Sequence, residues 1–243
     1  MSLLNNLRQQ ALNKQAEEET AARKQAELQQ FYRQHTQPRL LRLYRNLHEL
    51  VTHLNYLEHE IWVDYPLSPA GHRVPMRQMD YKVEIDSLEN TQNIALYAWC
   101  RGKLELLYQL SDPAQIDKHV EYFKHYNIKN QSRAYKNANH QVVGADISIK
   151  TELPIRVQFE ADIPNQCIKL TLLNLPALGT RVLRLNPQAL DDQFCDDLGR
   201  FILREKDEFL RLDISDEEKQ RIRELVEKEQ RQREWELKRA QEE

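Results

Sequence analysis

The most regular alternation of apolar and polar positions lies between Pro38 and Ile61. Leu40, Leu43, Leu47, Leu50, Leu54, Leu57 and Ile61 are separated by alternating steps of three and four. That spacing sets all seven on one helical stripe, the a and d positions of a heptad repeat. The segment has no glycine, and Pro38 stands where a helix tolerates proline, at its start. Tyr44 and Val51 widen the stripe, which therefore suits docking onto a bundle or a domain as well as a two-stranded coil.

The stretch before it, from Ser2 to Thr36, is rich in the helix formers Ala, Gln, Glu, Lys and Leu. Leu4, Leu7 and Ala11 begin an apolar line that Lys14, Glu18 and Gln25 interrupt. A helix this polar buries little and leans on i,i+4 pairs such as Glu19 with Arg23. The pattern predicts a solvated arm, with a kink or break at Thr36-Gln37-Pro38 before the leucine seam. Residues 1–61 thus read as a helical arm followed by a coiled-coil-like helix.

Helical periodicity stops at Trp62. Pro66, Ser68-Pro69-Ala70-Gly71 and Pro75 predict a connecting loop over residues 62–80. Its large apolar groups, Trp62, Tyr65, Met76 and Met79, are expected to pack across the domain surface.

Period two then takes over. Tyr81 to Ile85 alternates as a strand. Ile94, Leu96, Ala98 and Cys100 face opposite to Ala95, Tyr97 and Trp99, and Leu104, Leu106 and Tyr108 resume the alternation after Arg101-Gly102, so the stretch reads as a hairpin. Asp112-Pro113 with Gln115 opens a helix that turns Ile116, Val120 and Phe123 inward. A polar stretch follows over residues 127–140. Further strands are expected at 142–149, 153–160 and 167–173, with a short last one at 181–185. Asn186-Pro187 opens a helix burying Leu190, Phe194, Leu198, Phe201 and Ile202, and Ser215 with Glu218 caps a charged C-terminal helix over 213–243. The fold class is α+β: a mostly antiparallel sheet of about six strands flanked by helices, with long N-terminal and C-terminal helices. The α+β domain spans residues 81–212.

Composition narrows the chemistry. The 243 residues carry 35 Lys+Arg and 38 Asp+Glu, a formal charge of −3, so any polyanion contact needs a local patch. Glycines number only five and the first is Gly71, a composition that argues against a glycine-rich phosphate cradle anywhere in the chain. Cys100, Cys167 and Cys195 are widely spaced and form no CxxC, the usage of a reducing compartment. The N-terminus has no apolar signal core, and no apolar run has the ~18 residues of a membrane span. A soluble, cytoplasmic protein is expected, with no cofactor and no metal ligand set.

Four constellations could carry function. Lys118 to His140 carries Lys118, Lys124, Lys129, Arg133 and Lys136 against Glu121, five cations to one acid and net +4. Tyr122, Tyr126 and Tyr135 are interleaved, a composition able to neutralise phosphates and stack bases. Lys124, Lys129, Arg133, Tyr135 and Lys136 are its candidate nucleic-acid contacts. Arg73-Val-Pro-Met-Arg77 with Asp146-Ile-Ser148 is similar to the cyclic-dinucleotide signature of PilZ domains. Thr151, however, stands where that signature has glycine, so no residue is carried over. Asp80-Tyr81-Lys82 and Asp146 to Lys150 are the strand-borne carboxylate and lysine groups of a nuclease-like site, without a second carboxylate in support. His48, His53 and His59 are five and six residues apart and share no helix face, as zinc would require.

No catalytic spacing emerges. The expectation is a non-enzymatic interaction or scaffold protein, oligomeric or partner-bound through its helices within a larger cytoplasmic assembly, with Leu40, Leu43, Leu47, Leu50, Leu54, Leu57 and Ile61 as the interaction seam. The alternative is a nucleic-acid-binding module using residues 118–140.

Overall fold

The computed structural model describes residues 3–206, with side chains from Arg8 and Gln10 onward, all within the compact unit Met1–Asp207. The charged C-terminal helix expected over residues 213–243 lies outside the described residues.

Helix α1, Leu3–Phe31, runs into α2, Gln37–Leu57, through a π-helical turn at Tyr32–Thr36. The expected break before Pro38 is therefore a widened turn rather than an interruption. Proline has no N–H to give and its ring crowds the carbonyl four residues earlier. Widening the turn relieves both: the Gln37 N–H reaches back five residues to the Tyr32 carbonyl.

Helix α2 ends at Leu57, where Glu58 takes a left-handed conformation (φ 48°). Ile61, counted in the seam by spacing, is instead the first residue of strand β1, Ile61–Pro66. The segment expected as a loop over 62–80 is largely sheet, because β2 runs from Arg73 to Ile85 and pairs antiparallel with β1. The sequence hides this continuity through a β-bulge. Met76 and Gln78 are buried on even positions, but Tyr81 is buried on an odd one. The register shifts between Met79 and Lys82, and Asp80 takes φ 59°. One inserted residue flips the period-two pattern, so each half reads separately. Asn55 of α2 holds the bulge: its Nδ2 donates to the Tyr81 carbonyl at 2.8 Å, and its Oδ1 accepts from the Tyr81 N–H at 3.3 Å.

Strand β3, Asn93–Arg101, pairs with β2 on one side and with β7, Glu152–Asp162, on the other. The meander continues through β8, Cys167–Leu173, and β9, Thr180–Leu185, giving one antiparallel sheet in the order β1-β2-β3-β7-β8-β9. The expected hairpin after Arg101 does not form. Strand β4, Leu106–Leu110, belongs to a second, three-stranded sheet with β5, Asn130–Lys136, and β6, Val142–Ile149, in the order β4-β6-β5. Among the described residues the nine strands thus span 61–185 rather than 81–185, and the polar stretch at 127–140 contains β5. Helix α3, Pro113–His125, is N-capped by Asp112 and packs on this smaller sheet through Ile116, His119 and Phe123. The last helix, α4 at Asp192–Ile202, begins after a 3₁₀ turn at Pro187–Ala189, with Asp191 rather than Asn186 as its N-cap.

The core lies between the six-stranded sheet and the pair α2 and α4. Leu40, Leu43, Leu47, Val51 and Leu54 of α2 are buried with Ile94, Leu96 and Ala98 of β3, Ile155 and Phe159 of β7, and Phe194, Leu198 and Phe201 of α4. The Phe159 and Phe194 rings meet edge to face at 6.2 Å.

Candidate interaction surfaces

The leucine seam is divided by the fold. Leu40, Leu43, Leu47 and Leu54 are buried within the domain, Leu50 is half-buried and Leu57 is 67% exposed. A stripe on α2 that spends its leucines on β2 and β3 leaves little apolar surface for a second helix. Leu50 lines a groove of about 590 Å³ between α2 and α4, with Leu43, Leu47 and Leu203 at its base and Glu49, Asp192 and Asp196 on its rim. Arg42 pairs with Asp192 at one end. A Cβ at Gly199 would meet Leu50 Cδ2 at 3.8 Å, an ordinary van der Waals contact, so the spacing of the two helices does not depend on the glycine.

The basic segment is spread over three elements. Lys124 is on α3, Lys129 lies in the turn after it, and Arg133, Tyr135 and Lys136 are on β5. Arg133 and Tyr135 share a face by alternation, and the Arg133 guanidinium stands 5.9 Å from the Tyr135 ring centroid. Asp146 of β6 is opposite Arg133, and the Tyr135 hydroxyl donates to its carboxylate. That bond raises the Tyr135 phenol above its ordinary range. Lys136 follows a register shift opposite Val142. The patch therefore includes a carboxylate at its centre, in the place where a phosphate would approach Arg133.

The other constellations are separated too. Arg73 and Arg77 are on β2 while Asp146 and Ser148 are on β6, in different sheets. Asp80 pairs with Arg101, which also reaches Glu152 at 3.2 Å. His53 lies 3.8 Å from Glu49 on α2. Among the described residues no group of three or more His, Cys, Asp and Glu side chains is placed to hold a metal ion. No described helix is long and apolar enough to cross a membrane.

Sequence spacing gave no signal for a polar network at the C-terminal end of α4. Arg204 is in the left-handed region (φ 64°), and its backbone closes the helix. The Arg204 N–H donates to the Phe201 carbonyl at 3.1 Å and the Glu205 N–H to that of Arg200 at 2.9 Å. This is the Schellman pattern, with arginine where glycine is usual. The side chain turns inward. Nε donates to Gln78 Oε1 at 3.1 Å, Nη1 to the Pro176 carbonyl at 2.6 Å, and Nη2 to the Tyr65 hydroxyl at 2.6 Å. Tyr65 donates onward to the Asn174 carbonyl, and Gln78 Nε2 to the Ile202 carbonyl at 2.9 Å and the Tyr81 hydroxyl at 3.1 Å. Burial pushes the Tyr81 phenol up to about 12 and the Cys100 thiol up to about 11. These groups are neutral donors at ordinary pH, fitted to hold α4 on the sheet rather than to exchange protons with a substrate.

A second unheralded feature is a slot of about 420 Å³ beside β1, lined by Trp62, Arg73, Val74, Pro75, Lys103, Leu104 and Leu106. The sequence placed Trp62, Arg73 and Pro75 in a loop and Lys103 and Leu104 in a hairpin, so nothing in it linked them. Only the pairing of β1 with β2, and the turn of the chain from β3 into the second sheet, bring them together. Models of known protein families, curated proteins and solved structures give no match to this chain.

Proposed function

We propose that this chain is a non-enzymatic interaction protein that joins a larger assembly through its N-terminal helix. The observation that carries this reading is the contrast between the two helices in series. Residues 10–27 of α1 are exposed on every side, whereas the apolar stripe of α2 is consumed by the sheet. Among the described residues helix α1 is braced along its own surface by Lys14–Glu18 at 3.8 Å, Arg23–Glu27 at 3.1 Å and Gln15–Glu19 at 3.3 Å. Such pairs contribute about 0.2–0.5 kcal/mol each and stabilise little beyond the helix itself. Its root is fixed, because Tyr32 and Thr36 are buried and the Tyr32 hydroxyl donates to the Thr91 carbonyl at 2.6 Å. A polar helix projecting from a rigid root has the form of a docking arm.

Removing residues 1–27 tests the reading. The truncated chain keeps Tyr32 and the core and should melt as the full chain does. It should also lose self-association, measured by light scattering, or the protein partners that survive nuclease treatment in a pull-down from native lysate. Unchanged mass and an unchanged partner set after truncation would refute a docking role for α1. The alternative, nucleic-acid binding through Lys124, Lys129, Arg133, Tyr135 and Lys136, has weaker support because Asp146 occupies the same face. If it held, log affinity would fall with log salt at about −0.7 per phosphate neutralised on a single strand.

A further inference from the structure

Strand β5 is exposed at every one of its positions, Asn130–Lys136. The other strands that end a sheet are not: β1 and β9 each bury residues, and β4 is half-buried at alternate positions. The order β4-β6-β5 puts β6 on one side of β5 and no strand on the other among the described residues. Along an antiparallel strand, alternate residues turn their N–H and C=O to the same neighbour, so every second residue of β5 directs both groups to the open side. The pairing with β6 runs without a break from Asn130↔Ile149 to Tyr135↔Gly144 and shifts only after Tyr135. Asn130 to Tyr135 is therefore one continuous edge. Its repeat of donors and acceptors is matched by another extended chain, and neither a lipid nor a nucleic acid has such a repeat.

Charge decides which chain. Lys129 precedes the strand, Arg133 lies within it and Lys136 ends it, all exposed. Among the described residues none of the three is in an ion pair; the Arg133 guanidinium stands 5.9 Å from the Tyr135 ring centroid instead. A second copy of β5 would bring the same three cations against these, and like charges across a strand pair are destabilising. Lysines on an edge thus guard against self-pairing and select for an acidic strand. Asp146 does not oppose that strand. It sits on β6, two strand spacings or about 10 Å from an added chain, with the Tyr135 hydroxyl donating to it. A phosphate approaching Arg133 on the sheet face would meet Asp146 directly.

We infer that the open edge of β5 takes an extended acidic segment of a protein partner as a fourth strand of the smaller sheet, its main chain paired along Asn130 to Tyr135 and its carboxylates beside Lys129, Arg133 and Lys136. This edge is separate from α1, so the inference stands or falls independently of the arm.

Panning a random peptide library displayed on phage against the full chain tests it. Enriched peptides should carry Asp or Glu about seven residues apart, the separation of Lys129 and Lys136 along an extended chain. A synthetic copy of an enriched peptide should slow amide hydrogen exchange at alternate residues of 130–135. It should lose about tenfold or more of its affinity, ~1.4 kcal/mol, to the Lys129→Glu/Lys136→Glu variant. Both lysines are exposed, so that variant should melt as the parent does. N-methylation of alternate peptide amides provides a second test that leaves the protein unchanged: one phase should abolish binding and the other should not, because an added strand bonds through one edge only. Absence of enrichment, enriched peptides without acids, exchange protection outside β5, or equal binding of both methylated phases would overturn the inference. So would a dimer whose β5 amides are protected without peptide, which would assign the edge to a second copy. Retention of single-stranded RNA that the lysine reversal abolishes, with no peptide enriched, would overturn it in favour of a nucleic-acid surface.

Discussion

Replacing Arg204 should uncouple α4 from the sheet, and the size of the effect follows from what the guanidinium holds. Three of its donors bond at 2.6–3.1 Å to Gln78, Pro176 and Tyr65. Gln78, Tyr65 and the adjoining Asn174 are almost fully buried, at 1%, 1% and 2% exposure. Hydrogen bonds from a charged donor contribute about 1.5–3 kcal/mol each, and acceptors left unsatisfied inside the protein keep their desolvation cost. Arg204 itself is half-buried and water can follow its removal, so the three bonds do not count in full. A net loss of about 3–5 kcal/mol is expected for Arg204→Ala. In a domain of this size each kcal/mol moves the melting temperature by about 2–4 °C, giving a fall of roughly 6–20 °C by circular dichroism. Arg204→Gly separates the side chain from the backbone. It loses the same bonds but relieves the left-handed φ of 64°, which costs an L-residue about 1 kcal/mol. The glycine variant should therefore melt above the alanine variant and below the parent. An alanine variant within 2–4 °C of the parent, the effect of only about 1 kcal/mol, would show that the network is idle. A glycine variant less stable than alanine would refute the backbone argument.

Two further outcomes are expected. Leu47→Ala, at 3% exposure, should cost about 2–5 kcal/mol in urea denaturation, whereas Leu57→Ala, at 67% exposure on the same spacing, should cost less than about 0.5 kcal/mol; equal costs would mean that α2 does not pack as described. Burial raises the Cys100 thiol from its ordinary 9.0 to about 11, so between those values the unfolded chain has released a proton that the folded chain retains. The associated stability, about 2–3 kcal/mol, is present below the lower value and lost as pH rises through the upper one; Cys100→Ala should flatten the alkaline slope of melting temperature, and an unchanged slope would place the thiol elsewhere.

The sequence by itself determined the elements whose periodicity is local and unbroken. The leucine spacing of α2, the alternation of β3, β7 and β8, and the Asp112-Pro113 start of α3 are set by neighbours within a few residues, and the structure has them where the pattern does, except that the seam stops at Leu57 and Ile61 begins β1. Three things depended on tertiary structure. The bulge at Asp80 reverses the alternation of β2, so its first half is recognisable as strand only through its pairing with β1. Strands β3 and β4 are close in sequence and alternate alike, but their separate sheets are decided by competition for partners: β7 takes the edge of β3 that β4 would need. Whether a leucine stripe faces another chain or its own sheet is a question of what else is nearby, and spacing is identical in both cases. The same holds for surfaces. Trp62, Arg73 and Lys103 form one slot because two strands and a crossover converge there, and Arg204 reaches Tyr65 across 139 positions of chain. Contacts of such separation leave no local signature in the sequence, because each residue taken alone satisfies the rules of an ordinary loop, strand or helix end.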